Sequence, residues 1–174
     1  SLVLFWSLLL FKPSKVSIDK KDIPLFILCG ITGVAINQIM FVKGLALTSA
    51  IHSSLLSLAT PIFITIIAIW LIKEKFSINK FFGLALGIGG ATLLVLVKDV
   101  QSSNGSSLLG DMFVLINAVS YAFYMVLVRP LMEKYNALHV LRWVFTFGAI
   151  FILPIALPDF FATNWSAFGI AQWM

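Results

Sequence analysis

Long runs of apolar residues, separated by short polar loops, make up most of the chain. Each run is close to the roughly 17–25 residues that a helix needs to cross a bilayer. The five runs are Ile23 to about Leu47, Ala50 to Ile72, Phe81 to Val97, Leu108 to Val128, and about Leu138 to Leu157. Strands of a membrane barrel are about ten residues long and alternate strictly, which these runs do not. The pattern therefore predicts an all-α fold, a polytopic transmembrane helical bundle.

Both ends of the chain are apolar but shorter than a span. Residues 1–11 reach about 16 Å as a helix, roughly half of a hydrocarbon core, and residues 167–174 are apolar without a polar tail. We interpret them as the second half of one span and the first half of another. The sequence therefore predicts an internal piece of a longer membrane protein.

Composition supports the membrane assignment and excludes several classes. The chain has 174 residues, of which 60% are apolar and 11% charged, with a mean hydropathy of +1.04. Soluble domains average roughly 45–50% apolar and about 25% charged, so a lone soluble domain and a disordered chain are excluded. A single cysteine excludes a disulfide framework and a multi-cysteine metal site. We expect no cofactor and no metal.

The net charge of +5 follows the loops. When the loops are assigned alternately to the two sides, one side receives about ten of the twelve basic residues, and the other receives Lys43 and Lys98. Since cytoplasmic loops hold the excess of Lys and Arg, we expect loop 73–80 inside and loops 98–107 and 158–166 outside. The dispersed basic residues do not predict nucleic-acid binding.

A proline in the middle of the second span predicts a distortion of its helix. Pro61 removes the amide that would bond the carbonyl of Ser57, which leaves that carbonyl free near mid-membrane. A bend that serves packing and a hinge are both compatible with this. Ser53, Ser57 and Thr60 share one helical face, which is suited either to packing or to lining a wet cavity.

Small residues on the third span predict close helix packing. The face Gly83-x-x-x-Gly87-x-x-x-Ala91 lets another helix approach closely.

Polar residues on the first span need partners in the bilayer. Lys43 lies near the end of its span and can extend to the headgroups. Asn37 and Gln38 lie deeper, so interhelical bonding and substrate contact both stay open for them.

The fourth span carries a polar and aromatic face. Asn117, Ser120 and Tyr124 lie three and four residues apart, and Tyr121 follows Asn117 by one turn. A buried tyrosine hydroxyl seeks a partner, and its ring stacks on flat or apolar ligands. This face predicts either a cavity wall or a packing surface.

Two charged or titratable residues lie at the ends of spans. We expect Asp111, just after Gly110, to cap the start of the fourth span, and His139 in the inner loop to be exposed to solvent.

No constellation for catalysis is present in the sequence. It has no pair of intramembrane carboxylates, no His-x-x-x-His, no Gly-x-Ser-x-Gly and no phosphate-binding Gly-Lys-Ser/Thr loop. We therefore expect no enzymatic activity and no catalytic residue.

Three stretches together resemble the EamA-type transporters of the drug/metabolite transporter superfamily. Their order and spacing carry the resemblance, which extends from about residue 24 to residue 130. The stretches are Gly44-Leu45-Ala46-Leu47-Thr48-Ser49-Ala50 through Thr60-Pro61-Ile62-Phe63; Leu71-Ile72-Lys73-Glu74-Lys75-Phe76 through Gly87-x-Gly89-Gly90-Ala91; and Gly110-Asp111 followed by Asn117-Ala118-Val119-Ser120-Tyr121-Ala122-Phe123-Tyr124.

The resemblance implies ten helices in two inverted repeats of five, with both termini cytoplasmic. On that template residues 1–97 form the C-terminal part of the first repeat, as a half-helix plus three transmembrane helices. Residues 98–107 form an extracytoplasmic linker, and residues 108–174 form the N-terminal part of the second repeat, as two helices plus a half-helix. A substrate cavity opens between the repeats. The resemblance implies that an aromatic residue facing this cavity stands at the position of Tyr121.

These observations favour a multi-pass integral protein of the cell membrane that transports a small solute outward by alternating access. The alternative is a membrane scaffold or sensor that transports nothing. Whether the protein forms a homodimer stays open. The expected solute-contacting residues are Tyr121, Tyr124, Asn117, Asn37, Gln38 and Ser57, with Pro61 as hinge and Gly83, Gly87 and Ala91 in helix packing.

Overall fold

The computed structural model describes residues 18–73, 77–98 and 108–162, and every regular element in these ranges is helical. In chain order the elements are α1 (Ile23–Gly30), a π-helical segment (Ile31–Ile36), α2 (Asn37–Leu47), α3 (Ala50–Ser57), α4 (Thr60–Ile72), α5 (Ile78–Lys98), α6 (Leu108–Leu127), α7 (Arg129–Lys134) and α8 (Ala137–Ala162). Both predicted terminal half-spans, and all of the predicted linker except Lys98, lie outside the described residues.

Four helical stretches are long and apolar enough to cross a membrane. They are Ile23–Leu47, Ser53–Ile72, Leu108–Lys134 and Ala137–Ala162. Helix α5, with 21 residues, covers the third predicted span. Helices satisfy their own backbone hydrogen bonds, as the bilayer core requires. The predicted helical bundle is confirmed, and the chain is a multi-pass integral membrane protein.

Helix α6 lies at the centre of the described bundle. It packs against α2 and the π segment on one side and against α3 and α4 on the other, while α8 packs against α1 and the π segment. The first span therefore lies between α6 and α8. One apolar core joins α1 to α8 around Phe26, Cys29 and Val144, and a second joins α4 to α6 around Ile67 and Ala122.

Glycines allow two helix pairs to approach within backbone contact. A Cβ added at Gly30 would lie 2.8 Å from the backbone nitrogen of Gly148, where α1 meets α8. A Cβ added at Gly110 would lie 2.7 Å from the backbone carbon of Leu47, where α6 meets the end of α2. Such close approach between membrane helices depends on small residues. Sequence analysis did not single out either crossing.

The predicted packing face on α5 meets open space in the described residues. A Cβ added at Gly83 or Gly87 has no atom of the described chain within 4 Å, apart from its own helix. The side chain of Ala91 lies outside what the structure describes. The packing role of Gly83, Gly87 and Ala91 therefore stays a prediction.

The second span is interrupted just before Pro61. Helix α3 ends at Ser57, α4 begins at Thr60 with Pro61 in its first turn, and the residues between form a tight turn. The hydroxyl of Thr60 donates to the carbonyl of Ser57 over 2.6 Å, and the hydroxyl of Ser57 donates to the carbonyl of Ser53 over 2.7 Å. The proline thus accompanies a short non-α turn between α3 and α4, in which the carbonyl of Ser57 accepts a hydrogen bond from the hydroxyl of Thr60. Its role as a hinge stays a prediction.

We expect Gly110→Ala to lower the thermal unfolding midpoint of the detergent-solubilised protein. The added methyl group would overlap the backbone of Leu47 and Thr48, and overpacking of this kind costs about 1–3 kcal/mol. Leu109→Ala is the matched control, because the neighbouring Leu109 side chain is largely exposed. Equal midpoints for the two variants would show that the helices do not approach as closely as described.

Candidate functional site

The polar face predicted on α6 meets the first span where its helix changes type. Asn117 donates from Nδ2 to the backbone carbonyl of Asn37 over 2.7 Å. Ser120 donates from Oγ to the carbonyl of Thr32 over 2.6 Å. Both donor side chains are buried. Two side-chain hydrogen bonds therefore hold α6 against the π segment and the start of α2.

The two tyrosines continue this face at mid-depth of the span. Tyr124 lies directly over Gly33 of the π segment, where an added Cβ would fall 2.5 Å from its ring. The rings of Tyr121 and Tyr124 have centroids 6.0 Å apart and are tilted by 44°. Tyr121 is 38% exposed, while Tyr124 is half-buried. Short π-helical turns occur frequently at functional sites, and this one lies beneath the tyrosines.

The predicted solute-contacting residues fall into two groups. Asn37, Asn117, Tyr121 and Tyr124 lie together where α6 meets the first span. Ser57 is half-buried at the end of α3, with its hydroxyl bonded within its own turn. Gln38 is exposed, and solute contact by any of the six stays a prediction.

A cavity of about 530 Å³ lies at the end of the bundle that carries loop 73–80. Its lining residues are Leu25, Leu71, Ile72, Val126, Leu127, Arg129, Pro130 and Glu133. The walls are mainly apolar, and the charges of Arg129 and Glu133 stand one helical turn apart on α7. None of the six predicted residues is among them. The sequence signal for this cavity is the charged turn that follows the end of α6.

An ionic cluster ties the start of α1 to α7 at the same end. Lys134 Nζ lies 2.5 Å from Asp22 Oδ2 and 3.3 Å from Asp19 Oδ2. Tyr135 donates from its hydroxyl to Asp22 Oδ2 over 2.6 Å. The hydrogen bonds from Lys134 and Tyr135 hold the pKa of Asp22 below its ordinary value of 3.8. Sequence analysis missed this cluster, because it joins residues more than 110 positions apart.

The expected solvent exposure of His139 is wrong. The side chain is only 4% exposed, its ring stacks on Tyr135 with centroids 5.6 Å apart, and its Nδ1 lies 3.1 Å from Nη2 of Arg142. Sequence analysis placed His139 in the inner loop, but α8 begins at Ala137. His139 therefore lies in the first turn of a packed helix.

At the opposite end, Asp111 joins two elements. It lies in the first turn of α6, as expected for a carboxylate near a helix N-terminus. Its Oδ1 also accepts a hydrogen bond of 2.6 Å from the hydroxyl of buried Thr48, which follows α2. Asp111 thus links the start of α6 to the turn between α2 and α3.

Comparisons with known proteins identify a transporter family. The sequence pattern of the EamA-like transporter family matches residues 1–96. The "uncharacterized transporter" YetK of Bacillus subtilis is 25% identical over 174 residues, which covers 99% of this chain and 53% of that protein. An "uncharacterized transporter" of Archaeoglobus fulgidus is 27% identical over 159 residues, covering 91% of this chain and 52% of that protein.

A third relative has a more specific name. A "probable terminal-alkyne amino-acid exporter" of Streptantibioticus cattleyicolor is 28% identical over 145 residues, which covers 82% of this chain and 48% of that protein. The chain thus spans about half the length of the curated relatives it matches. No solved structure matches the chain.

We expect Asn117→Leu to destabilise the bundle. The substitution keeps a similar volume but removes the donor that bonds the Asn37 carbonyl, and such bonds between membrane helices contribute about 0.6 kcal/mol on average and up to about 1.7 kcal/mol. The measurement is the unfolding free energy in mixed micelles, with Ile116→Leu on the exposed neighbouring position as control. An Asn117→Leu protein as stable as the control would contradict the bond.

We expect the ionic cluster at the start of α1 to make stability depend on pH in the acid range. A carboxylate whose pKa is lowered on folding stabilises the protein above its unfolded value, and this contribution is lost as pH falls through the lowered pKa. The difference in melting temperature between the unmodified protein and Asp22→Asn should shrink as the pH falls below about 4. A difference that stays constant down to pH 2 would contradict the described hydrogen bonds.

Proposed function

The chain belongs to the EamA-like transporter family, and on that premise we propose that it forms part of a secondary transporter of small solutes. The proposed solutes are metabolites, amino acids or drug-like molecules, moved outward by alternating access. Relatives named as transporters and as an exporter support transport and its direction. The same names support a transporter rather than an enzyme.

The half-exposed ring of Tyr121 at the middle of a membrane span is the observation that carries the proposal. Tyr121 lies halfway along the span Leu108–Lys134 and keeps 38% of its surface exposed. Tyrosines in membrane helices normally lie at the two interfaces, where their hydroxyls reach water. At mid-depth an exposed phenol is favourable beside a polar cavity, since its hydroxyl needs a partner.

The neighbouring polar groups fit a solute that has both a flat or apolar part and hydrogen-bonding groups. The rings of Tyr121 and Tyr124 would contact the apolar part. The bond between Asn117 and Asn37 uses the side-chain nitrogen of Asn117, so we assign its amide oxygen to the solute. Gln38 and Ser57 complete the proposed polar set.

The cavity at the inner end supplies a proposed entry route. It lies between the ends of α1, α4 and α7, on the side that the basic loops predict to be cytoplasmic. Its volume is within the range of small-molecule sites, about 300–1,000 Å³. The turn before Pro61 would let α3 and α4 tilt separately and so open and close the route.

A scaffold or sensor is the second candidate, and the open face of α5 favours it. Gly83 and Gly87 have no described neighbour within 4 Å outside their helix, so another membrane protein could pack there. This candidate predicts a dry bundle. Reaction of a cysteine placed at position 121 with a charged, membrane-impermeant thiol reagent would argue against it.

We expect Tyr121→Ala to lower the initial rate of uptake into proteoliposomes containing the full-length protein. Loss of one aromatic contact costs about 0.5–1.5 kcal/mol, which corresponds to a rate roughly two- to tenfold lower. The radiolabelled probes are phenylalanine, threonine, propargylglycine (an amino acid with a terminal alkyne) and ethidium.

Two matched controls locate the effect. Tyr121→Phe keeps the ring and should retain most of the rate for an aromatic probe, while Ile116→Ala alters an exposed position on the same helix that is not among the proposed solute contacts and should leave the rate unchanged. Undiminished uptake by Tyr121→Ala would remove Tyr121 from the site. Transport of none of the probes by the unmodified protein would favour the scaffold.

A further inference from the structure

A buried pair of basic side chains lies at the inner end of α8, apart from the tyrosine site. Nδ1 of His139 lies 3.1 Å from Nη2 of Arg142, and the two residues are only 4% and 7% exposed. A guanidinium group donates hydrogen bonds and accepts none. Nδ1 of His139 must therefore be the acceptor, so the ring carries its one proton on Nε2 and is neutral.

Tyr135 connects this pair to the first span. The imidazole of His139 stacks on the ring of Tyr135 at an interplanar angle of 18°. The same tyrosine contacts Phe26 of α1, with ring centroids 5.6 Å apart, and donates its hydroxyl to Asp22. Asp22 in turn pairs with Lys134. The position of the imidazole is therefore linked through direct contacts to the start of α1.

The groups around the ring determine what a second proton would do. The charge shown in contact with the imidazole is the cation of Arg142. The other titratable side chains of the described elements nearby are, on the α1 side, Asp19, Lys20, Lys21, Asp22 and Cys29, on α6, Tyr124, and, on α7 and the turn after it, Arg129, Glu133, Lys134 and Tyr135. A proton added to Nδ1 removes the acceptor and places two cations side by side in a buried environment.

We propose that the His139–Arg142 pair is a proton-sensing latch at the inner end of the bundle. With a neutral ring, the hydrogen bond to Arg142 holds the imidazole against Tyr135 and keeps α1 attached to α7 and α8. When one proton binds to Nδ1, that bond is lost, the two side chains separate, and the contact with α1 loosens. Arg142 keeps all its protons.

Linkage gives the direction of the effect. Separation of the pair increases the affinity of His139 for a proton by some factor. By linkage, proton binding shifts the equilibrium towards the separated pair by the same factor. Acidification on the side that the latch faces therefore opens the inner end. For the transporter proposed above, whose function this inference assumes, the latch makes inner access dependent on proton concentration.

Nitrogen NMR of the full-length protein labelled at histidine tests the protonation state directly. The ring signals of His139 are assigned by their absence in His139→Asn. We expect the Nε2–H form at pH 7.5 and a doubly protonated ring when the pH is lowered. An Nδ1–H form, or a ring already doubly protonated at pH 7.5, would overturn the proposal. This measurement needs no functional variant and no solute.

Alkylation of Cys29 by N-ethylmaleimide tests the loosening. Cys29 is fully buried in the core that joins α1 to α8, so its reaction rate reports whether these helices separate. Rates are followed by mass spectrometry of the peptide containing Cys29 and divided by the rate in denatured protein at the same pH. We expect the normalised rate to be at least threefold higher at pH 5.5 than at pH 7.5.

Two histidine variants show whether the pH dependence of Cys29 alkylation arises from His139. His139→Asn offers an acceptor to Arg142 but does not titrate in this range, so its normalised rate should not change with pH. His52, the other histidine of the sequence, lies in α3 and not in α8, so His52→Asn should respond as the unmodified protein does. The same pH response in His139→Asn, or no response in the unmodified protein, would overturn the latch. Since no solute is used, these outcomes are separate from failure of the uptake assay.

Discussion

The bilayer core offers no water to polar groups, and this constraint explains most of the polar contacts in the bundle. Each unsatisfied donor or acceptor there is costly, so each irregularity in a span needs a local partner. At the turn before Pro61, the hydroxyl of Thr60 donates a hydrogen bond to the carbonyl of Ser57. In the π segment, the carbonyl of Thr32 accepts a hydrogen bond from the hydroxyl of Ser120. Small polar side chains beside these irregularities are therefore part of the backbone's hydrogen bonding.

The same constraint limits what the polar face of α6 can do for a solute. Asn117 and Ser120 donate their hydrogen bonds to carbonyls of the first span, and these bonds fix the face in position. The parts left for a ligand are the ring of Tyr121 and acceptor atoms such as the amide oxygen of Asn117. The proposed site would recognise solutes mainly through ring contact and through donors on the solute. This agrees with a carrier of amphipathic molecules better than with an ion channel, which needs rings of charged or carbonyl ligands.

The sequence predicted the membrane-spanning helices well. It predicted poorly which helix packs against each polar or small-residue face. Hydropathy placed the helices because the length of an apolar run is a local property. Helical spacing also identified the face of Asn117 and Tyr124. Which helix that face meets is not local, so packing and cavity lining could not be separated. Gly30 and Gly148 stand in different spans without a shared motif, whereas the more regular glycines of α5 face open space in the described chain. His139 was assigned to the loop because the neighbouring basic residues mark the inner side, although the helix had already begun.

The described bundle is held differently at its centre and at its ends, and this difference suits the alternating opening proposed above. Away from the polar ends, α1 and α8 cross in backbone contact at Gly30 and Gly148, a contact that contains no charged group. At the end predicted to be cytoplasmic, α1 is held by the cluster of Asp22, Lys134 and Tyr135. At the opposite end, α2 and α6 meet through the bond between Thr48 and Asp111. Polar contacts at an accessible end can be exchanged for water at small cost, whereas a close crossing in lipid cannot. Rotation about the central crossing, with one end exchanging its polar contacts at a time, therefore needs less free energy than separating the helices along their length.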